Sequence, residues 1–324
     1  MIRCTLLAIC LGLPFCAGCA QLVSSTAARV MVRAPNQVDP RIRLTNLRPI
    51  RRNSDGFADR FWVQVGPPEA RLLVSIVDSP AGTHPIGTLL VLHGAYGRSE
   101  DMLNIASALT SYGYRVVLVD LRGHGRSTGG RITYGIQESE DLAQVVDVLQ
   151  QRNLIAGRLG VYGFSYGATT AIALAGRDPR VSAVVAVAPF SSLREAVGHV
   201  MRTRVPTARR FADEQWVAQT LQQAAREGGF NPDAADAKAA MQVTSARVLM
   251  IHGDADRLVT PDHSVRLHRS AIDRSYVLFI PGATHSDLSR DSSGSVSSLA
   301  ATWFQRWMSA QPPPASPSYS VRRP

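Results

Sequence analysis

Arg158-Leu159-Gly160-Val161-Tyr162-Gly163-Phe164-Ser165-Tyr166-Gly167-Ala168-Thr169-Thr170-Ala171-Ile172-Ala173-Leu174-Ala175 changes character at its centre. Residues 158–162 read as a short buried strand, and the small-residue run 168–175 reads as a tightly packed helix. Between them stands Gly-x-Ser-x-Gly at 163–167. A serine at such a junction sits on a strained strand-to-helix turn, with its hydroxyl pushed out of the backbone. The flanking glycines have a physical reason. The turn needs positive φ near the serine, and the helix must pass close to the strand it leaves.

A serine hydroxyl is a poor nucleophile at neutral pH. It needs a base to take its proton, and the base needs an orienting carboxylate. Downstream, a strand at 248–251 runs into His252-Gly253-Asp254-Ala255-Asp256-Arg257-Leu258-Val259. A second strand at 277–280 runs into Pro281-Gly282-Ala283-Thr284-His285. Both place polar groups at strand ends. Asp256 is the candidate acid, His285 the candidate base and Ser165 the candidate nucleophile. Asp254 competes for the acid role and also reads as a turn carboxylate that bonds local N–H groups. Attack on a carbonyl further needs backbone N–H groups aimed at the developing negative oxygen. Tyr166, directly after the serine, supplies one. The other is expected in the loop His93-Gly94-Ala95-Tyr96-Gly97, which follows an early strand. His93 itself reads as a structural brace of that loop.

Around these motifs the chain alternates. Residues 61–65 and 71–77 read as an antiparallel pair, followed by strands at 88–92, 115–119, 159–162, 181–187, 247–251 and 276–280. Helices are expected at 100–111, 136–149 and 295–308, in addition to the one after Ser165. Continuous apolar strands separated by helices imply a mainly parallel sheet covered on both faces. One interval breaks the alternation. Between Pro189 and Ala246 there are helical stretches at 192–202 and 213–227 and no strand pattern. It reads as a helical lid over the carboxyl ends of the strands, where open α/β sheets bind ligands. The competing reading is a peripheral helical decoration.

The run His93-Gly94, then Gly113-Tyr114-Arg115-Val116-Val117-Leu118-Val119-Asp120-Leu121-Arg122-Gly123-His124-Gly125-Arg126-Ser127, then the Ser165, Asp256 and His285 motifs, resembles the α/β-hydrolase superfamily. Within it the motifs are similar to the lysophospholipase/monoacylglycerol lipase and serine aminopeptidase type. The resemblance implies an α/β-hydrolase fold with a mostly parallel eight-stranded sheet and no cofactor. It also implies a Ser165-His285-Asp256 triad, with Ala95 as the second oxyanion donor beside Tyr166 and Tyr96 as the next choice. The family spans esterases, lipases, thioesterases and peptidases, so the substrate class stays open. A small-molecule or lipid ester is the first expectation and an aminopeptidase the second. A non-catalytic envelope binding protein is the alternative of a different class, and a pure binder would have no need of all three triad residues.

Other chemistries find less support. Gly123-His124-Gly125 lacks the third glycine and the following helix of a dinucleotide loop. Lys238, the only lysine, lacks a P-loop context. His252, Asp254 and Asp256 are close in sequence but have no His-x-x-x-His pair or cysteine cluster for zinc. The net charge of +10 raises nucleic acid as a partner. The arginines are nonetheless spread along the chain, and the dense stretches at 48–52 and 202–210 carry no interleaved stacking aromatics. Such a surface suits anionic lipid headgroups instead.

All four cysteines, Cys4, Cys10, Cys16 and Cys19, fall in the first nineteen residues. That stretch has Arg3, an apolar run from Leu6 to Phe15 and the small residues Ala17-Gly18-Cys19-Ala20, the form of an export signal. Cys16-Ala17-Gly18-Cys19 resembles the lipobox of bacterial lipoproteins, which would make Cys19 a lipid anchor. Cys16 departs from the usual leucine, and cleavage after Ala20 is the alternative. Ala20 is not acidic, which by the same resemblance favours the outer membrane. The expected organisation is leader 1–19, irregular tether 20–59, first part of the core 60–190, lid 191–245, second part of the core 246–310 and a Pro/Ser-rich disordered tail 311–324.

Overall fold

A computed structural model describes residues 17–38, 56–79, 83–204 and 212–309. In chain order the main elements are α1 (Ala17–Val32), β1 (Asp59–Val65), β2 (Ala70–Val77), β3 (Gly87–Leu92), α2 (Leu103–Ser111), β4 (Tyr114–Val119) and α3 (Ile136–Gln151). They continue with β5 (Arg158–Phe164), α4 (Tyr166–Arg177), β6 (Val181–Val187), α5 (Leu193–Arg204), α6 (Glu214–Gly228) and α7 (Ala237–Val243). The chain then closes with β7 (Arg247–Gly253), α8 (Asp262–Ser270), β8 (Ser275–Ile280), α9 (His285–Arg290) and α10 (Ser295–Met308).

The strands form one eight-stranded sheet in the order β1-β2-β4-β3-β5-β6-β7-β8. Strand β2 runs antiparallel to β1 and β4, and the remaining pairs are parallel. The central strands are apolar at most positions because helices cover both faces. On one face Leu142, Val146, Ile172 and Leu267 from α3, α4 and α8 pack onto the sheet. On the other, Ile105, Leu109, Trp303 and Phe304 from α2 and α10 do so. This is the α/β-hydrolase fold. The registers Leu92↔Gly163 and Gly253↔Ile280 bring the loops after β3 and β5, and those after β7 and β8, side by side at the carboxyl edge.

The interval after β6 is helical, as its pattern implies. Helix α5 reaches that same edge, where His199 Nε2 donates to the Arg257 carbonyl at 2.9 Å. The expected cap, 191–245, is too long at its end. Ala237 and Met241 of α7 lie in the main core, and Gly176 of α4 leaves room for Ala240. Helix α7 is therefore part of the layer under the sheet.

The expected tether also differs. From Ala17 to Val32 the chain is helical, and Ala28, Met31 and Val32 bury against Trp216, Val217, Leu221 and Ala224 of α6. Ser24 Oγ and Thr220 Oγ1 meet at 2.8 Å, and Tyr134 Oη donates to the Met31 carbonyl at 2.8 Å. The helix forms because α6 offers its small apolar face a partner far away in sequence. Cys19 falls in the first turn of α1. Most of the proposed leader (1–16), the stretch 39–55 and the tail 311–324 lie outside the described residues.

Candidate active site

Strand β5 ends at Phe164 and α4 begins at Tyr166, leaving Ser165 alone in the turn with φ 53° and ψ −112°. The sequence places positive φ near the serine; the structure puts it on Ser165 itself. The two glycines serve close approach instead. A Cβ on Gly163 would run into the Gly167 carbonyl, and one on Gly167 would lie 2.6 Å from the Leu92 carbonyl oxygen. The α4 N-terminus is thereby held against the ends of β3 and β5. Its dipole favours negative charge near the Tyr166 N–H.

Ser165 Oγ lies 3.1 Å from His285 Nε2, and His285 Nδ1 lies 2.7 Å from Asp256 Oδ2. The carboxylate accepts from Nδ1–H, which leaves Nε2 free to accept from the serine hydroxyl. Asp256 is buried and its other oxygen, Oδ1, accepts from the Leu258 and Val259 N–H groups at 2.8 and 3.0 Å. Burial alone would raise its carboxyl pKa. The His252 and His285 rings, with the Leu258 N–H, outweigh burial and hold it far below the ordinary carboxylate range. Asp254, the competitor, is exposed and its Oδ1 accepts from the Gly282 N–H at 2.6 Å. It ties the β7 and β8 loops together and does not touch His285. Phe164 packs against the His285 ring with centroids 4.9 Å apart.

The loop after β3 is braced from below. His93 Nδ1 donates to the Gly94 carbonyl at 2.8 Å, and its Nε2 accepts from the Leu121 N–H at 3.1 Å. Both ring nitrogens are engaged, and burial lowers the His93 pKa. Asp120 fastens the far side of the loop by accepting from the Ser99 and Arg126 N–H groups at 2.7 and 2.8 Å. Ala95 and Tyr96 stand exposed at the rim, with Tyr96 at φ 61°. Among the described residues neither the Ala95 nor the Tyr166 N–H has a hydrogen-bond partner. The Gly123–Gly125 loop lies under the elbow: His124 is buried, its ring 5.0 Å from His93 and 5.3 Å from Tyr166. Burial, with His93 beside it, lowers the His124 pKa to about 3.

Sequence reasoning missed a set of buried polar groups behind the acid. His252 and Ser264 meet at 2.7 Å, and His263 Nδ1 accepts from the Ser191 N–H at 3.2 Å. Burial and the nearby Arg266 lower the His263 pKa to about 3. The signal for His252 was present, since it stands at the end of β7 four residues before Asp256. Beside Asp254 and Asp256 in the sequence, it reads only as a metal candidate.

A serine, histidine and aspartate in contact at the carboxyl edge of this sheet, with the serine on a strand-to-helix elbow, define a hydrolase of the α/β-hydrolase type. Solved structures share the fold. The Pyrococcus furiosus esterase Pf2001 superposes with a TM-score of 0.62 at 20% identity, covering 81% of this chain and 97% of that one. The Pyrococcus horikoshii acylaminoacyl peptidase gives 0.58 at 15% identity, covering 80% and 43%. In sequence, the chain is 31% identical over 124 residues to the uncharacterized protein YqkD of Bacillus subtilis (strain 168). That match spans 37% of this chain and 41% of YqkD, less than half of the relative's length. The profile of the X-Pro dipeptidyl-peptidase (S15) family matches residues 69–245, more than half of the chain, and the protein belongs to that family.

Proposed function

We propose that the protein hydrolyses carboxylic esters through a Ser165-His285-Asp256 triad and an acyl-enzyme. The observation that carries this is the His285 ring, which bridges Ser165 Oγ at 3.1 Å and Asp256 Oδ2 at 2.7 Å. Ser165 Oγ attacks the ester carbonyl carbon as His285 Nε2 takes its proton. The N–H groups of Ala95 and Tyr166 hold the oxyanion. The intermediate collapses, the C–O bond to the alcohol breaks, and His285 returns the proton to the leaving oxygen. Water then attacks the acyl-enzyme, losing a proton to His285; the acyl C–Oγ bond breaks, His285 returns that proton to Ser165 Oγ, and the acid leaves.

Most carboxylates around the site are already engaged, which supports ester over peptide. An exopeptidase needs a group to bind the substrate's α-amine. Near the triad and on α5, Asp254 is bonded to the Gly282 N–H, Asp287 to the Thr284 N–H at 2.9 Å and Glu195 to Arg266 at 2.8 Å. On the cap, Asp213 accepts from the Trp216 N–H at 2.8 Å and Glu227 lies 3.6 Å from Arg29, while Glu214 stands exposed in the first turn of α6. The motif resemblance to lysophospholipases and monoacylglycerol lipases supports the same choice. A second reading, cleavage of peptides at an amino terminus, is favoured by the S15 family match. The leader-like sequence further supports export to the cell envelope, with Cys19 as the lipid anchor and acyl lipids or external esters within reach. A panel of p-nitrophenyl esters against aminoacyl and X-Pro amides decides between the readings. Ester turnover that depends on Ser165 is expected, and cleavage of the amides with no ester turnover would replace the first reading by the second. Fractionation of Cys19→Ser tests the anchor: release from membranes is expected, and unchanged fractionation would count against it.

A further inference from the structure

The triad acid sits on a short loop, and a carboxylate there can aim correctly only if the loop is pinned. Asp256 Oδ1 is occupied by the Leu258 and Val259 N–H groups, which leaves Oδ2 for His285. The turn that supplies those N–H groups is held in its own right. The Val259 carbonyl lies 2.9 Å from His252 Nε2. A carbonyl can only accept, so Nε2 carries the hydrogen and Nδ1 is bare. Ser264 Oγ, 2.7 Å from Nδ1, therefore donates to it. The Val259 carbonyl thereby fixes the tautomer, and Ser264 of α8 holds the ring from its other side. His252 and Ser264 have no exposed surface, so water does not compete for either bond. The same Nε2–H lies 3.6 Å from Asp256 Oδ2, on the oxygen that faces His285.

We infer that His252 is a positioning residue for Asp256: it clamps the 256–259 turn through the Val259 carbonyl and turns an N–H dipole toward Oδ2. The inference rests on the triad reading proposed above. The carboxylate then faces two imidazoles. One, His285, meets the serine, and the other is buried in the wall behind. The remaining groups packed around this wall are already engaged. His263 of α8 accepts from the Ser191 N–H, Arg266 pairs with Glu195 of α5, and His199 of α5 bonds the Arg257 carbonyl. None of them reaches the Val259 carbonyl. A buried histidine at a strand end could also be a pure packing residue, and the two roles separate by experiment.

Full-length wild type is first titrated with a fluorophosphonate, which counts reactive Ser165. His252→Phe, His252→Gln and Ser264→Ala are then compared for kcat and KM on an activated p-nitrophenyl ester, per titrated site, alongside thermal melting. A misplaced acid costs turnover more than binding, so His252→Phe is expected to lower kcat about 10- to 100-fold with KM little changed. His252→Gln keeps an amide N–H about where Nε2 stands and is expected to recover most of that loss. Ser264→Ala removes the bond that holds the His252 ring from α8 and is expected to lower kcat several-fold with only a modest loss of Tm, a readout that survives if the Phe variant does not fold. Wild-type kcat in His252→Phe would overturn the inference while leaving the triad standing. Loss in His252→Phe that Gln fails to recover, with Ser264→Ala at wild-type kcat, would reduce His252 to packing. Wild type that takes no label would overturn the inference together with the triad.

Discussion

Ser165 carries backbone strain that can be measured by removing its Cβ. At φ 53° and ψ −112° it occupies a region that an L side chain rarely adopts. A non-glycine residue so placed costs on the order of 1–3 kcal/mol. Ser165→Gly releases that cost, and its freer unfolded chain gives back about 0.4–1 kcal/mol. The proper reference is Ser165→Ala, not wild type. Both variants lose the 3.1 Å bond to His285, so that loss cancels, and only Ala keeps a Cβ. The Gly variant should therefore be the more stable by about 0.5–2 kcal/mol. For a chain of this size that is a rise in Tm of roughly 1–6 °C. Differential scanning calorimetry and urea unfolding of both variants in one buffer read it directly. Both should be inactive. A Gly variant no more stable than the Ala variant would refute the elbow as a strained turn, and with it the reason Ser165 projects into the site.

Further outcomes follow from the same geometry. Gly163→Ala drives a Cβ into the Gly167 carbonyl, a backbone group that cannot move without unseating α4; a loss of more than about 3 kcal/mol or insoluble expression is expected, and a soluble variant with wild-type Tm would contradict the close approach. His124 and His263 keep their neutral form in the fold down to about pH 3, whereas the unfolded chain takes protons near the ordinary histidine value of 6.5. Their contribution is thus full above pH 6.5 and is lost as pH falls, by about 1 kcal/mol per pH unit for each. Urea unfolding between pH 4.5 and 7.5 should show that slope, flattened in His124→Phe; an unchanged slope in that variant would be a contrary result. Deleting residues 1–33 strips α1 from the cap, and Trp216, 6% exposed in the fold, should become wet. A red-shifted tryptophan emission and a lower Tm are expected, and an unaltered spectrum would mean that α1 does not seal the cap.

What could be read from the residues alone follows the range of the interactions. Strands β3 to β7 are apolar at nearly every position because they are buried on both faces, so their order and type are written locally. The candidate triad residues stand just beyond strand ends, and strand ends are legible once the strands are. The glycines around Ser165 were legible as necessary, but the position of the positive φ was not, because either a glycine or the serine can carry it. Helix α1 was missed because its helicity depends on Trp216 and Leu221, nearly two hundred residues away, and its own proline- and arginine-rich surroundings suggest a tether. Helix α7 was assigned to the cap because Ala240 and Met241 carry no sign of which layer they join; that is set by the space left at Gly176. His252 escaped for a different reason: its partner in the fold is a backbone carbonyl, and carbonyls have no sequence signature.

The central claim is that Ser165 is a nucleophile activated by His285 and Asp256. Active-site titration with a fluorophosphonate, followed by peptide mapping of the labelled site, tests it most directly. The account predicts one label per chain, on Ser165, with labelling abolished in Ser165→Ala and strongly slowed in His285→Ala. Wild type that stays unlabelled, or a label carried equally by Ser165→Ala, would contradict it.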